Sequence, residues 1–179
     1  TYLQQLFRNY HAVRLLVDRE HFDTLLKMSN SDPEAAQRLQ LKNSLLVNPR
    51  VLDHLTTEKQ IATLITFVTQ EATNNMRSTF LQRIMNHPGV MEAIVKENYF
   101  DDLVAIVAGE VQSYRRASLV AALIRNVTLT KHLSQQKQLS RLIQLTTSEL
   151  YQNARRQMLN AFVSNPETLA MWSKTGKLD

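Results

Sequence analysis

Residues 110–127 read EVQSYRRASLVAALIRNV. The spacing predicts an amphipathic helix with an acid in front of it. At about 100° per residue, Leu119, Leu123 and Ile124 share one face, and Arg116 falls on that same face. A buried stripe should not carry an arginine unless its charge has a partner. Two questions follow: why Arg116 sits there, and whether Glu110, six residues upstream, is that partner.

The rest of the chain bears on both, because it repeats every 39 residues without slippage. Leu25, Leu64, Leu103 and Leu142 form one column of the repeat. Leu26, Ile65, Val104 and Ile143 run beside them, preceded by Phe22, Ile61, Phe100 and Leu139. These apolar positions at i, i+3 and i+4 predict a first helix. A second helix repeats in step through Leu41, Phe80, Leu119 and Met158, then Leu45, Ile84, Leu123 and Phe162, then Leu46, Met85, Ile124 and Val163. Asn48-Pro49, His87-Pro88, Asn126-Val127 and Asn165-Pro166 come next. Asparagine caps a helix and proline suits the first helical position, so a short third helix is predicted, anchored by Leu55, Ile94, Leu133 and Trp172. His87 stands in the column of capping asparagines and reads as a turn residue.

Arg116 belongs to a column of its own: Arg38, Arg77, Arg116 and Arg155. Each follows an acid by six residues: Asp32, Glu71, Glu110 and Glu149. An acid is favoured near the free N–H groups at a helix start. An arginine one turn in can reach both the acid of its own unit and that of the next, while its aliphatic stem covers the stripe. The two columns read as a structural ladder. The rival reading, a comb of arginines for phosphates, is weakened because every arginine comes with its own neutralising acid.

An acid and an arginine six residues apart at the start of the second helix of a helical hairpin resemble the signature of HEAT repeats. The short third helix resembles armadillo repeats. The likeness covers almost the whole chain, although the proline usual in the first helix of HEAT units has no counterpart. It implies an all-α fold, a right-handed α-solenoid of about four 39-residue HEAT/armadillo-like repeats. The expected frame is a partial repeat at 1–17, repeats at about 18–56, 57–95, 96–134 and 135–173, and the start of another at 174–179. Leu6, Phe7, Asn9, Ala12, Val13 and Leu16 fit the second and third helices of that first partial unit. The chain therefore reads as a fragment of a longer array, and end-to-end self-association through its terminal stripes is expected. The resemblance also implies a scaffold or binding role, with no chemistry.

Composition narrows the function classes further. With 3 Gly and 4 Pro in 179 residues, long helices are favoured over a many-stranded sheet. No cysteine is present, which excludes disulfides, thiolate metal sites and thiol nucleophiles, and fits a reducing compartment such as the cytoplasm. No apolar run is long enough to insert into a membrane. His11, His21, His54, His87 and His132 lack the spacing of zinc ligands. There is no glycine-rich phosphate loop, and carboxylates paired with arginine are ill-suited to general acid–base work. Catalytic residues, cofactor and metal are thus expected to be absent. The net charge is +5, and it is uneven: residues 111–179 carry 10 Lys+Arg against 3 Asp+Glu, residues 1–110 carry 11 against 13.

In solenoids of the family it resembles, the second helix lines the concave surface. Opposite its buried stripe lie Asn75, Thr79, Gln82 and Asn86 in one unit, Tyr114, Ser118, Ala121 and Arg125 in the next, and Asn153, Gln157, Asn160 and Ser164 in the last. Of these only Arg125 is charged. A face that merely meets water would carry Lys and Glu, which are better helix formers than Asn, Ser and Thr. Side-chain amides donate and accept at once, which suits the backbone of an extended peptide. The expected function is a non-enzymatic protein-interaction scaffold, with Tyr114, Arg125 and the flanking Arg83, Arg115 and Arg156 giving specificity. The alternative is a nucleic-acid-binding solenoid using the basic C-terminal half.

Overall fold

A computed structural model of the protein describes residues 2–18, 21–31, 34–57, 60–70, 74–126, 129 and 138–174. It is all-helical, with no strand among the described residues. The chain opens with α1 (Tyr2–Arg8) and α2 (Tyr10–Asp18). It continues through α3 (Phe22–Ser31), α4 (Ala35–Val47) and α5 (Pro49–Thr57), then α6 (Ile61–Thr69), α7 (Asn74–Met85) and α8 (Pro88–Lys96). Next come α9 (Phe100–Ala108) and α10 (Ser113–Arg125), followed by α11 (Gln138–Ser148), α12 (Gln152–Ser164) and α13 (Pro166–Lys174). Leu133 lies outside the described residues, as do Asp32, Glu71 and the side chains of Phe7, Asn75 and Trp172.

The expected columns are largely buried where they are described, with Leu26 and Ile65 half-buried. Leu25, Leu64, Leu103 and Leu142 are at most 1% exposed, and so are Leu41, Phe80, Leu119 and Met158. Each such side chain contributes about 1.5–3 kcal/mol of burial. Helices one period apart pack on one another: α1 on α4, α4 on α7, α7 on α10 and α10 on α12. The short helices do the same, α2 on α5 and α5 on α8, and α9 packs on α11. One column breaks at its end. Leu46, Met85 and Ile124 are buried, but Val163 is 59% exposed.

Helix ends repeat as faithfully as the core. His21, Gln60 and Tyr99 each donate their backbone N–H to the carbonyl five residues back, on Leu16, Leu55 and Ile94. In α8 this bond joins a second, from Asn98 N–H to the Val95 carbonyl, with Asn98 at φ 63°. Such a left-handed residue closes a helix, and asparagine is one of the few side chains that tolerates it. The turn sends the chain from one third helix into the next first helix.

The asparagine column starts the short helices. Asn9 Oδ1 accepts from the N–H groups of His11 and Ala12, Asn48 Oδ1 from Arg50, and Asn165 Oδ1 from Glu167. His87 does the same work with its ring, Nδ1 accepting from Val90 N–H at 3.3 Å. Two of these asparagines also reach back across the unit boundary. Asn126 Nδ2 donates to the Met85 carbonyl at 3.2 Å, and Asn165 Nδ2 to the Ile124 carbonyl at 2.7 Å. Both carbonyls sit 41 residues earlier, in the last turn of the preceding second helix. One side chain thus caps a helix start and fills a helix end of the neighbouring unit, satisfying groups a helix leaves open at both termini.

Candidate functional site: a polar groove across the second helices

Arg116 positions α10 against α12 and so bears on the site. Its Nε donates to Glu149 Oε2 at 3.1 Å, and its Nη2 bonds the same oxygen. Glu149 is the acid of the following unit, and its side chain is 1% exposed. Glu110, the acid of the same unit, is met only through its backbone: Arg116 Nη1 donates to the Glu110 carbonyl oxygen at 2.6 Å. The Glu110 carboxylate turns the other way, accepting from Ser78 Oγ of the preceding unit at 2.6 Å and from its own Gln112 N–H at 3.1 Å. Glu149 has the matching second bond, from Tyr151 N–H. Each acid therefore shapes the turn into its own second helix and ties it backward to the preceding one.

Burial pushes the Glu149 carboxyl up. The hydrogen bond from Arg116, that from Tyr151 N–H, the Arg116 charge and the Ser113 hydroxyl outweigh it and hold the group below the ordinary glutamate range. Of the other ladder positions, Arg38 and Arg77 are half-buried, while Arg155 is exposed.

Between α7, α10 and α12 lies a groove of about 470 Å³. Gln82, Met85 and Asn86 form one wall, Ser118, Ala121, Ala122, Arg125 and Asn126 the other, and Gln157 of α12 closes one side. Its volume falls in the range of ligand sites, roughly 300–1,000 Å³. Among the described residues α10 and α12 pack on each other more extensively than α7 and α10, and α10 and α12 both carry buried alanines, Ala117, Ala121, Ala154 and Ala161. On the α7 side, Arg83 occupies the register of Ala122 and Ala161, and its Nη1 reaches to the Asn43 carbonyl of α4. The groove thus has short side chains, Ser118, Ala121 and Ala122, on its α10 wall and longer ones, Gln82 and Met85, on its α7 wall.

Six residues expected on the second-helix face line this groove: Gln82, Asn86, Ser118, Ala121, Arg125 and Gln157, of which Ala121 is itself buried at 1% exposure. Gln157 Nε2 donates to Ser118 Oγ at 3.1 Å across the unit boundary. Arg125 and Asn86 are exposed. The others sit elsewhere on the same helices. Thr79 is half-buried, Asn153 and Asn160 are exposed, and Tyr114 is 60% exposed beside Arg115, whose guanidinium carbon is 5.2 Å from the ring centre. Tyr114 thus stands outside the groove, and Arg83 is committed to α4. Sequence reasoning missed Met85, Ala122 and Asn126. Met85 was assigned to the buried stripe, and it is 2% exposed, a floor residue touching both core and groove.

Among the described residues no three His, Asp or Glu side chains gather as a metal would require, and no helix is long and apolar enough to cross a membrane. No family model matches the chain, and neither any curated protein nor any solved structure proved similar to it.

Proposed function

We propose that the protein is a non-enzymatic interaction scaffold, a right-handed HEAT/armadillo-like α-solenoid that holds an extended peptide segment across its second helices. The 39-residue register in which like helices pack on like supports the architectural part of this reading. The functional part is carried by one observation: the groove between α7, α10 and α12 is lined by side-chain amides, a hydroxyl and one cation, without a carboxylate. Amide groups can pair with both the N–H and the C=O of a passing backbone. Met85, Ala121 and Ala122 supply an apolar floor for side chains that point inward.

General helix-packing distances give the length such a segment would need. Neighbouring helix axes lie about 8–10 Å apart and an extended chain rises about 3.3 Å per residue, so crossing from α7 to α12 takes roughly five or six residues. Hydrogen bonds to a backbone give modest affinity and little salt dependence, unlike phosphate contacts to a nucleic acid.

The test is a capture experiment from a native lysate with the wild-type chain and with the triple variant Gln82→Ala, Asn86→Ala, Arg125→Ala. None of the three side chains is fully buried, so stability should change by less than about 1 kcal/mol. Captured proteins should be lost with the variant and retained after nuclease treatment. Retention by the variant would place the site elsewhere, and loss on nuclease treatment would favour a nucleic-acid ligand.

A further inference from the structure

Arg125 stands in the last turn of α10, is exposed, and lines the groove. No side-chain hydrogen bond or ion pair engages it among the described residues. It is the one charged residue of the lining, and no acid faces it there. Helix C-terminal ends ordinarily repel anions through their open carbonyls. Here most of those carbonyls are taken. Gln82 and Arg83 carbonyls accept from Asn86 N–H, Met85 from Asn126 Nδ2, Leu123 from Asn126 N–H, and Ile124 from Asn165 Nδ2. These bonds, two of them from the side chains of Asn126 and Asn165, offset part of the negative potential that the ends of α7 and α10 would otherwise aim at the groove, leaving the guanidinium to set its sign.

We propose that Arg125 recognises a Glu or Asp side chain of the segment bound in the groove, so that the partner is an extended peptide with an acidic residue at one fixed position. This deepens, and rests on, the reading of the groove as a peptide site. A guanidinium meets a carboxylate through two parallel N–H···O bonds, a match that an amide or hydroxyl cannot give. Ala121, one turn before Arg125 on α10, lines the groove with Met85 and offers an apolar surface to the acid's methylene stem. A segment that also reaches Gln157 of α12 continues past Arg125, which makes the carboxylate a side chain's and not a chain terminus. The open Oε1 of Gln157, whose Nε2 is held by Ser118, is an acceptor for a backbone N–H of that segment.

The experiment is a selection of random 12-residue peptides, displayed as internal segments, on wild-type protein, Arg125→Gln and Arg125→Glu. A second library carries free C-termini. Wild type should enrich peptides with Glu or Asp at one aligned position. A synthetic copy of the best peptide should bind at least tenfold more weakly when that acid becomes Gln or when Arg125 becomes Gln. Arg125→Glu should select Lys or Arg at the same position. Enriched peptides without an acidic position, or an acidic preference that survives Arg125→Gln, overturn the carboxylate inference and leave the peptide site standing. Enrichment only from the free C-terminus library shows that the carboxylate is terminal and overturns the side-chain assignment. No enrichment on wild type, with a fluorescein-labelled 20-nucleotide single strand bound and lost in Arg125→Glu, overturns both readings in favour of nucleic acid. No binding of either probe overturns the groove as a macromolecular site.

Discussion

Replacing Arg116 by alanine removes two charge-assisted donors from the Glu149 carboxylate and one from the Glu110 carbonyl. Glu149 keeps its bond from Tyr151 N–H but is left as a charge with a side chain 1% exposed. Breaking one partner out of a fully buried pair costs about 3–5 kcal/mol. Arg116 itself is 21% exposed, so water enters the space it vacates and reduces that cost. The expected loss is about 2–3 kcal/mol, between the cost of an unsatisfied buried acceptor and that of a fully buried unpaired charge. Urea unfolding followed by circular dichroism measures it. Arg155→Ala is the internal control: the same column and residue type, but an exposed side chain, with an expected change within about 0.5 kcal/mol. A double-mutant cycle with Glu149→Gln should return most of the loss as coupling between the two residues. Equal effects of Arg116→Ala and Arg155→Ala, or a coupling below about 0.5 kcal/mol, would refute the assignment of Arg116 as the tie between α10 and α12.

The same pair fixes an acid dependence. The folded carboxyl of Glu149 is lowered, so its contribution to stability is complete above about pH 4.3, where an unfolded glutamate titrates, and is lost as pH falls through the lower folded value. The gap between wild type and Arg116→Ala should therefore close in acid, and a gap constant from pH 7 to pH 3 would contradict this. Asn165→Ala removes the Glu167 cap and the bond to the Ile124 carbonyl together, and should cost about 1–2 kcal/mol in chemical denaturation, more than a cap alone at an exposed helix. Leu103→Ala opens a void in a column that is 0% exposed and should cost about 2–5 kcal/mol by the same assay, against a near-neutral result for the exposed Val163→Ala.

Much of this fold was legible because its periodicities are nested. A 3.6-residue pattern marks each helix, and a 39-residue pattern marks which helices are equivalent, so Leu25 and Leu103 could be placed in one column without knowing any contact. The Arg116–Glu149 pair was legible in composition but not in direction. Spacing puts Glu110 and Arg116 six residues apart, yet a side chain of that reach can turn either way, and the carboxylate of Glu110 turns back to Ser78 while Arg116 turns forward to Glu149. The double duty of Asn126 and Asn165 was also hidden, since a capping preference reports on the residue's own helix and says nothing of a carbonyl 41 positions earlier. The groove was half legible. Helical geometry selects Gln82, Ser118 and Arg125 as one face, but whether two such faces enclose a space depends on how closely their helices approach, which one helix's pattern does not report. Tyr114 shows the limit: it shares the face of Ser118 and still stands outside the groove.

The claim at the centre of this account is that the faces of α7, α10 and α12 form one continuous peptide site. An NMR titration of the 15N-labelled chain with the tightest peptide from the selection tests it most directly. Binding should shift the side-chain amides of Gln82, Asn86 and Gln157 and the backbone signals around Ser118 and Arg125 together, with one affinity, and leave α8, α9 and α11 unchanged. Shifts concentrated on those helices, or confined to one of the three groove helices, would contradict it.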